Sequence, residues 1–257
     1  TLAPLLFLFV NAFKSNNEII ASPVALPEHW TLQYIKTAME AINFGKALGL
    51  TFIITFFSIL LLVIVSSFAA WAMVRSKTIL SNIVFLCFTA AMLVPFQSLM
   101  YPLLSVFEKM GLKNVQGLIL MYGGFGLSMS VFLYHGFIKS VPASLEEAAV
   151  LDGANLFQMF FKVVFPLLKG TTVTVIVLNG MWIWNDYLLP FLVIGNKTGS
   201  KTLTLELYFA KLTSGQYGNP WELIFPAVFV TIIPIIILYI FLQKYIVAGV
   251  SEGAVKM

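Results

Sequence analysis

One run of the sequence, residues 47–74, contains no charged side chain. A helix rises 1.5 Å per residue, so roughly 20 apolar residues are enough to cross the hydrocarbon core of a bilayer. The run therefore predicts a transmembrane helix, which Arg75 and Lys77 close. Apolar runs of the same kind predict four more spans, at 78–107, 114–138, 170–194 and 223–243.

The composition agrees with a membrane protein and excludes an ordinary soluble domain. Hydrophobic residues make up 60% of the chain and charged residues 10%, with a mean hydropathy of +0.94. Residues 1–13 are uncharged but too few to span, so we expect a first transmembrane helix whose cytoplasmic half is missing. The prediction is an all-α membrane protein of six transmembrane helices, forming one domain over 1–257 in the lipid bilayer.

A polar-faced stretch of different character follows the fourth run. Ser144 and Glu147 have the spacing of a helix-starting capping box, and Gly153 is suited to the left-handed turn that ends a helix. Asn155, with a glutamine three residues later, predicts a second helix start, and Pro166 predicts its stop. These signals predict an elbow of two short helices that is too interrupted to cross a bilayer.

The elbow carries a motif that resembles a known family. Glu147-Ala148-Ala149, three further residues and then Gly153 resemble the EAA motif of permease subunits of ATP-binding-cassette importers. Family members end the motif in Ile-x-Leu-Pro, where this chain has Val163-Val164-Phe165-Pro166. Asp152-Gly153-Ala154 has the form common in the carbohydrate branch. Likeness to maltose-type and multiple-sugar importers extends to four other segments: Asn11–Ser15, Trp184–Asp186, Gly215–Gly218 and Val250–Lys256.

The resemblance implies the type I importer permease fold in the cytoplasmic membrane of a prokaryote. It implies a second permease subunit in a heterodimer, two ATPase subunits and an extracytoplasmic sugar-binding protein. The elbow at 140–169 would then be cytoplasmic and would transmit ATPase motion. The residues implied in this coupling are Glu146, Glu147, Ala148, Ala149, Asp152, Gly153, Ala154, Phe157 and Pro166.

Apolar side chains on the elbow also point to a covering surface. An exposed cluster of this kind is unusual unless a partner buries it. The alternative is a helix pair that packs only against its own bundle. The side chains concerned are Leu156, Phe157, Met159, Phe160 and Phe161.

Charge alone does not orient the chain in the membrane. With the elbow inside, seven Lys and Arg residues lie on the inner side and eight on the outer side. The positive-inside rule therefore leaves the orientation open, and the cytoplasmic elbow is implied by the resemblance.

The chain offers no nucleotide, metal or nucleic-acid site of its own. The segment 195–202 resembles a phosphate-binding loop, but its glycines are one residue too close, and Ser200 separates Gly199 from Lys201. The formal charge of +4 is spread thinly without a basic stripe, and no cluster of His, Cys, Asp or Glu has metal-ligand spacing. ATP and Mg would therefore be bound by the partner ATPase.

Asp186 is an acid within an apolar run, which makes it a candidate for the substrate path. Its neighbours Trp184, Asn185 and Tyr187 could bind an uncharged polyol. The alternative is that Asp186 caps the outer end of a helix. A loop at 195–222 is the candidate contact to the binding protein, through Gly215, Gln216, Tyr217 and Trp221.

A second extracytoplasmic loop is predicted at 14–43. Leu32, Ile35, Met39 and Ile42 have helical spacing there, which is typical of an interfacial amphipathic helix. A simple lead-in turn to the next span is the alternative reading.

Three transport functions remain for such a chain. The favoured one is import of a neutral oligosaccharide, because four of the spans contain no Lys or Arg to bind an anion. The same architecture importing glycerol-phosphate or another small solute is the alternative. An ATP-independent secondary transporter would need several embedded ionisable residues, and the sequence offers at most Asp186.

Overall fold

The computed structural model describes residues 2–195, 199, 201–214 and 220–254, with side chains left out at 212–214, 238–239 and 241–254. The described residues form helices joined by turns, without a β-strand among them. The helices are α1 Ala3–Asn11, α2 Asn16–Ala21, α3 Gln33–Ala41, α4 Phe44–Ser76, α5 Ile79–Ala91, α6 Phe96–Lys109, α7 Val115–Ile138, α8 Ser144–Leu151, α9 Leu156–Leu167, α10 Lys169–Asn185, α11 Leu188–Val193, α12 Leu203–Ser214 and α13 Trp221–Ala254.

Two helices are unbroken and long enough to cross a membrane. Helix α4 has 33 residues and α7 has 24, and both are strongly apolar. Helix α7 begins where Asn114 accepts a hydrogen bond from the backbone N–H of Gly117 at 3.0 Å. The second and fourth predicted spans are therefore confirmed as single helices.

The third predicted span is broken into two helices. Helices α5 and α6 meet at an angle of 107°, so the pair is a broken span or a re-entrant loop. The break falls at Pro95, which has no N–H and disfavours the helical conformation at Val94.

The fifth predicted span is also divided. Helix α10 ends at Asn185 and α11 begins at Leu188, while α9 and α10 form a pair bent by 77°. Helix α13 covers the sixth predicted span and contains two prolines, Pro226 and Pro234. Counting each bent pair as one span, up to four membrane-crossing helices pass the length and composition criteria in the described residues, beside the shorter apolar helix Trp221–Ile237.

Both predicted outer loops contain helices. Helices α2 and α3 lie within 14–43, and α12 lies within 195–222. Helix α3 confirms the predicted helix over 32–42, with Ala38 and Ile42 buried, so the reading as a simple turn is wrong.

The chain divides into two compact units. The first contains Thr1–Ile53 and Trp184–Phe241, and the second contains Ile54–Ile183 and Leu242–Met257. The core of the first unit is formed by small and aliphatic side chains from α3, α4, α12 and α13, among them Ala38, Ile42, Ala47, Leu203, Ala227 and Val230.

In the second unit, helices α7 and α10 approach closely at a glycine. A Cβ atom placed on Gly126 would lie 2.6 Å from Asn179 Oδ1 and from a Leu62 methyl carbon. The Asn179 side-chain amide donates to Ser130 Oγ at 3.1 Å and to the Val175 carbonyl at 2.9 Å. A small residue thus permits a polar contact inside an apolar bundle.

Candidate coupling site

The elbow has the two-helix form that was predicted. Helix α8 ends at Leu151, and Gly153 takes a left-handed φ of +82°. Asn155 Oδ1 then accepts from the N–H of Gln158 at 2.9 Å, while Gln158 Oε1 accepts from the N–H of Asn155 at 3.0 Å. The predicted second cap is therefore confirmed as a reciprocal capping box.

The predicted first cap is wrong. Ser144 lies inside α8 and makes no capping hydrogen bond, because Ala143 at the N-cap position already has helical dihedral angles. The N–H groups of Glu146 and Glu147 bond instead to the carbonyl of Ala143, at 2.9 and 3.0 Å. The Ser144 side chain lies one residue after the N-cap position, so it does not cap a free N–H group of the first turn.

The predicted stop at Pro166 is also wrong. Helix α9 continues through a π turn at Phe160–Val164 and ends at Leu167. Pro166 lies in the first turn of the short α segment Phe165–Leu167 that follows the π turn. Its missing N–H is tolerated in a first turn, so the proline does not end the helix.

One buried carboxylate anchors α8. Glu146 is 8% exposed and accepts hydrogen bonds from Arg75 Nε at 2.8 Å and from Trp71 Nε1 at 3.0 Å, and its ion pair with Arg75 brings Nη2 to 2.7 Å from the carboxylate. Arg75 Nη2 also donates to the Val141 carbonyl at 3.0 Å. The last turns of α4 therefore hold both α8 and the turn before it, through charge-assisted bonds.

The inner face of the elbow packs on its own unit. Met159 and Phe160 are buried, and the Phe160 ring lies 5.0 Å from Phe68 and 5.3 Å from Trp71 between centroids. Ala149 of α8 joins the same core. Met159 and Phe160 therefore agree with the alternative interpretation, in which the helix pair packs against its own bundle. No partner is needed to cover these two side chains.

The outer face is apolar and exposed. Leu151 is 89% exposed, Phe157 65%, Val150 57% and Leu156 54%. These side chains surround the turn at Gly153, where a Cβ atom would meet nothing within 4 Å. Others of the predicted coupling residues are exposed as well, namely Glu147, Ala148, Asp152 and Pro166, while Ala154 is half-buried. Such a patch marks a protein-binding surface more often than a solvated one.

The residues missed by the sequence analysis are Arg75 and Trp71. Arg75 was read only as the charge that closes a span. Its partner Glu146 lies 71 positions away, so no local spacing could have revealed the pair. The one local feature that could have indicated a role for Arg75 is its position at the end of an apolar span, directly before a turn.

The substrate-path candidates lie at the break between α10 and α11. The Asp186 carboxylate accepts from the N–H of Leu188 at 3.0 Å, and its carbonyl accepts from Thr204 Oγ1 at 2.8 Å. Asp186 therefore bridges the two-residue break in front of α11, whose N-cap residue is Tyr187. Asn185 and Tyr187 are exposed, whereas Trp184 is buried, and its indole N–H has no hydrogen-bond partner among the described residues.

An aromatic cluster accompanies these residues. The rings of Tyr187 and Tyr208 stack at 5.3 Å between centroids, and Phe191 lies edge-on to Tyr208 at 5.7 Å. Tyr208 comes from α12, twenty-one positions away, and was not predicted. The sequence analysis interpreted the segment that contains Tyr208 as a loop, so it did not predict this contact.

The candidate contact to the binding protein falls mainly outside the described residues, since it includes Gly215, Gln216 and Tyr217. Trp221 begins α13, and its N–H donates to Asn16 Oδ1 at 3.1 Å. Glu222 Oε2 in turn accepts from the Asn16 N–H at 3.1 Å, so α2 is tied to the start of α13. Among the described residues, no group of three His, Cys, Asp or Glu could hold a metal ion.

Comparison with known proteins identifies the family. Residues 63–252 match the binding-protein-dependent transport system inner membrane component family. The chain is 43% identical over 255 residues to the "Probable starch degradation products transport system permease protein AmyC" of Thermoanaerobacterium thermosulfurigenes, covering 99% of this chain and 92% of that protein. It is 36% identical over 258 residues to the multiple sugar-binding transport system permease protein MsmG of Streptococcus mutans, with the same coverage.

A solved structure shows the same fold. It is a bacterial ATP-binding-cassette transporter involved in the import of the acidic polysaccharide alginate, and one of its chains matches with a TM-score of 0.82 at 22% identity. The match covers 95% of this chain and 90% of that one. The predicted fold class is thereby confirmed, and the relatives are transport subunits and not enzymes. The chain therefore belongs to the inner membrane components of binding-protein-dependent transport systems, the permease subunits of ATP-binding-cassette importers.

Proposed function

We propose that this chain is one permease of a heterodimer that imports a neutral oligosaccharide, and that its elbow receives the motion of an ATPase subunit. The observation that carries the proposal is the exposed apolar surface at the elbow turn, with Leu151 and Phe157 on either side of Gly153. The side chains exposed around this turn are apolar, whereas a turn that faces only water usually exposes polar side chains. This difference supports a docking role.

The anchoring of α8 supports the transmission of force. A docked helix can move a membrane domain only if it does not slide on that domain. Glu146 is held to the end of α4 by two charge-assisted hydrogen bonds and by its ion pair with Arg75, and Phe160 packs into the core of the same unit. Motion applied at the turn is thus delivered to the inner end of a spanning helix.

The proposed assembly contains a second permease, two ATPase subunits and an extracytoplasmic binding protein. ATP binding closes the ATPase dimer and moves the docked elbows as levers. The two permeases then rock from an inward-facing to an outward-facing arrangement, a two-state equilibrium that the ligands bias by binding one state better.

The coupling role is tested with a pair of glycine variants in the reconstituted transporter. Gly153→Asp places a charged side chain at the centre of the docking turn, and we expect ATP-driven uptake to be lost while the permease still folds. Gly111→Asp is the matched control, because Gly111 also has a positive φ, +69°, with open space around a Cβ atom. Normal uptake by the Gly153 variant, or equal loss in both variants, would refute the coupling role.

A neutral sugar is supported by the names of the relatives and by the charge of the spans. AmyC is named for starch degradation products and MsmG for multiple sugars, which favours short glucose oligosaccharides as cargo. The runs 47–74, 78–107, 114–138 and 223–243 contain no Lys or Arg to balance an anion such as glycerol-phosphate.

The substrate path is proposed at the break between α10 and α11. The buried indole N–H of Trp184, which has no partner among the described residues, can donate to a sugar hydroxyl. The stacked rings of Tyr187, which is exposed, and Tyr208, which is half-buried, offer an apolar face to a sugar ring. Asp186 positions this region through its hydrogen bonds with the N–H of Leu188 and the hydroxyl of Thr204.

Two measurements test the substrate proposal. Uptake of a labelled maltooligosaccharide should be inhibited by unlabelled glucose oligosaccharides and unaffected by glycerol-phosphate, and the reverse pattern would refute it. Trp184→Phe keeps a ring but removes the N–H, so we expect weaker uptake, whereas Trp182→Phe, an exposed control two residues away, should leave uptake unchanged.

The proposed contact with the binding protein involves Gly215, Gln216, Tyr217 and Trp221. Deleting residues 215–218 should abolish the stimulation of ATPase activity by the binding protein while assembly of the subunits is preserved. Unchanged stimulation in the deletion variant would refute this contact.

A further inference from the structure

A cavity of about 560 Å³ lies beside the elbow anchor in the second unit. It is formed by the end of α4, the first turns of α5, the end of α7 and the turn that leads into α8. Its volume is within the usual range of small-ligand sites. None of the functions derived above uses this cavity.

The lining of the cavity is positively charged. Arg75, Lys77 and Lys139 line it together with His135 and Asn82, and none of its lining residues is acidic. Glu146 offsets the charge of Arg75 through their ion pair, but both lysines remain uncompensated by any ion pair among the described residues. An anionic ligand is the chemistry that such a lining recognises.

The two lysines occupy specific positions. Lys77 has a φ of +48°, a left-handed conformation that is uncommon for a residue with a side chain. The Lys139 ammonium lies 5.8 Å from the centroid of the Phe85 ring, on which His135 stacks at 3.6 Å. The left-handed Lys77 follows the end of α4 and begins the turn that leads to α5, which places its side chain at the cavity.

The surroundings of the cavity favour a lipid over a soluble anion. Lys77 and Lys139 follow the inner ends of the long apolar helices α4 and α7 in the proposed orientation. The first turns of α5, from which Asn82 lines the cavity, also expose Ile79, Leu80 and Ile83. An acyl chain could lie on this aliphatic face while its headgroup enters the cavity.

We propose that this cavity binds the phosphate of an anionic phospholipid from the inner leaflet. Basic pockets between transmembrane helices on the cytoplasmic side are suited to such headgroups. Lys77 and Lys139 supply the charge, and the amide of Asn82 supplies a hydrogen-bond donor. The site goes beyond the transport function and shares only the cytoplasmic orientation with it.

The test is lipid retention by the detergent-purified full chain, measured by native mass spectrometry with phosphatidylglycerol and phosphatidylcholine. We expect phosphatidylglycerol to be retained in preference. In the double variant Lys77→Gln with Lys139→Gln, its apparent affinity should fall about 30-fold, which is roughly fivefold for each lost charge. The double control Lys162→Gln with Lys169→Gln removes two inner-side lysines outside the cavity and should retain the lipid.

A second variant guards against a folding defect. Asn82→Asp keeps both lysines but places a negative charge in the cavity, and it should also lower phosphatidylglycerol retention, with thermal unfolding of the protein unchanged. Equal retention of the two lipids, or retention unaffected by either variant, would overturn the proposal.

Two further measurements distinguish a lipid phosphate from a soluble one and show whether another subunit covers the cavity. Millimolar glycerol-phosphate should not displace the lipid, and displacement would show a soluble-anion site instead. The assembled transporter should retain the lipid too, whereas its loss on assembly would show that another subunit covers the cavity. Because no arm measures uptake, a failure here is separate from a failure of the proposed transport function.

Discussion

Replacing Glu146 with glutamine removes the charge that holds α8 against the end of α4. The carboxylate accepts hydrogen bonds from Arg75 Nε at 2.8 Å and from the Trp71 indole at 3.0 Å, and Arg75 Nη2 lies 2.7 Å from it in the ion pair. Loss of one partner of a fully buried ion pair costs about 3–5 kcal/mol. The Arg75 side chain is 22% exposed and keeps part of its hydration, and glutamine keeps one acceptor oxygen. We therefore expect the free energy of opening α8 to fall by about 2 kcal/mol.

Hydrogen exchange measures this opening directly. A loss of about 2 kcal/mol corresponds to roughly 30-fold faster exchange of the α8 amides. Glu147→Gln is the matched control, since Glu147 is an exposed neighbour on the same helix, and it should change the opening free energy by less than about 0.5 kcal/mol. Adding Arg75→Gln to Glu146→Gln should cost only the hydrogen bond to the Val141 carbonyl, about 1 kcal/mol, because the ion pair is already broken. Equal exchange in the two glutamate variants would refute the anchoring role.

Three other predictions concern packing, the elbow turn and pH. Gly126→Ala should destabilise the chain by about 1–3 kcal/mol in thermal unfolding, because its Cβ atom would lie 2.6 Å from its neighbours; Gly124→Ala, with nothing within 4 Å, should not. Gly153→Ala should cost about 1–2 kcal/mol at φ +82°, seen as faster exchange of the turn amides, and no change there would contradict the argument. The N–H of Glu28 and the N–H of the Ser15 cap lower the pKa of Glu18. The stabilisation that these hydrogen bonds give the segment 14–43 is therefore present above the unfolded pKa of Glu18 and is lost as the pH falls through its lowered pKa. Tryptophan fluorescence of the segment 14–43 should show this transition, and Glu18→Gln should remove it.

The sequence predicted correctly those structural elements that depend on residues close together along the chain. The absence of charge in 47–74 predicted α4, and the Asn155 cap and Gly153 turn were both found as expected. These features depend on residues within a few positions of one another. Short-range spacing is therefore sufficient to predict them.

The same reasoning failed where two local signals compete. The spacing from Ser144 to Glu147 fits a cap, but the backbone is already helical at Ala143. Pro166 normally ends a helix, but in the first turn after a π turn its missing donor has no consequence. The choice between such readings depends on where the preceding turn begins, which spacing alone does not give.

The anchor of the elbow could not be predicted because it is a tertiary contact. Glu146 and Arg75 are separated by 71 positions, and each was assigned another role from its local context. The Tyr187 and Tyr208 stack has the same origin, since α12 folds within a segment read as a loop. A pattern along the chain reports periodicity but not which turns meet in space.

The central claim, that the elbow turn docks on an ATPase subunit, is tested most directly by labelling a cysteine at the turn. With Cys87→Ala as background, because Cys87 is exposed, Leu151→Cys should react with a maleimide in the permease alone and be strongly protected once the ATPase subunits assemble. Val24→Cys, a control at a residue 83% exposed in the segment 14–43 outside the predicted spans, should not be protected by the ATPase. Full reactivity of the Leu151 cysteine in a transport-competent complex would contradict the account.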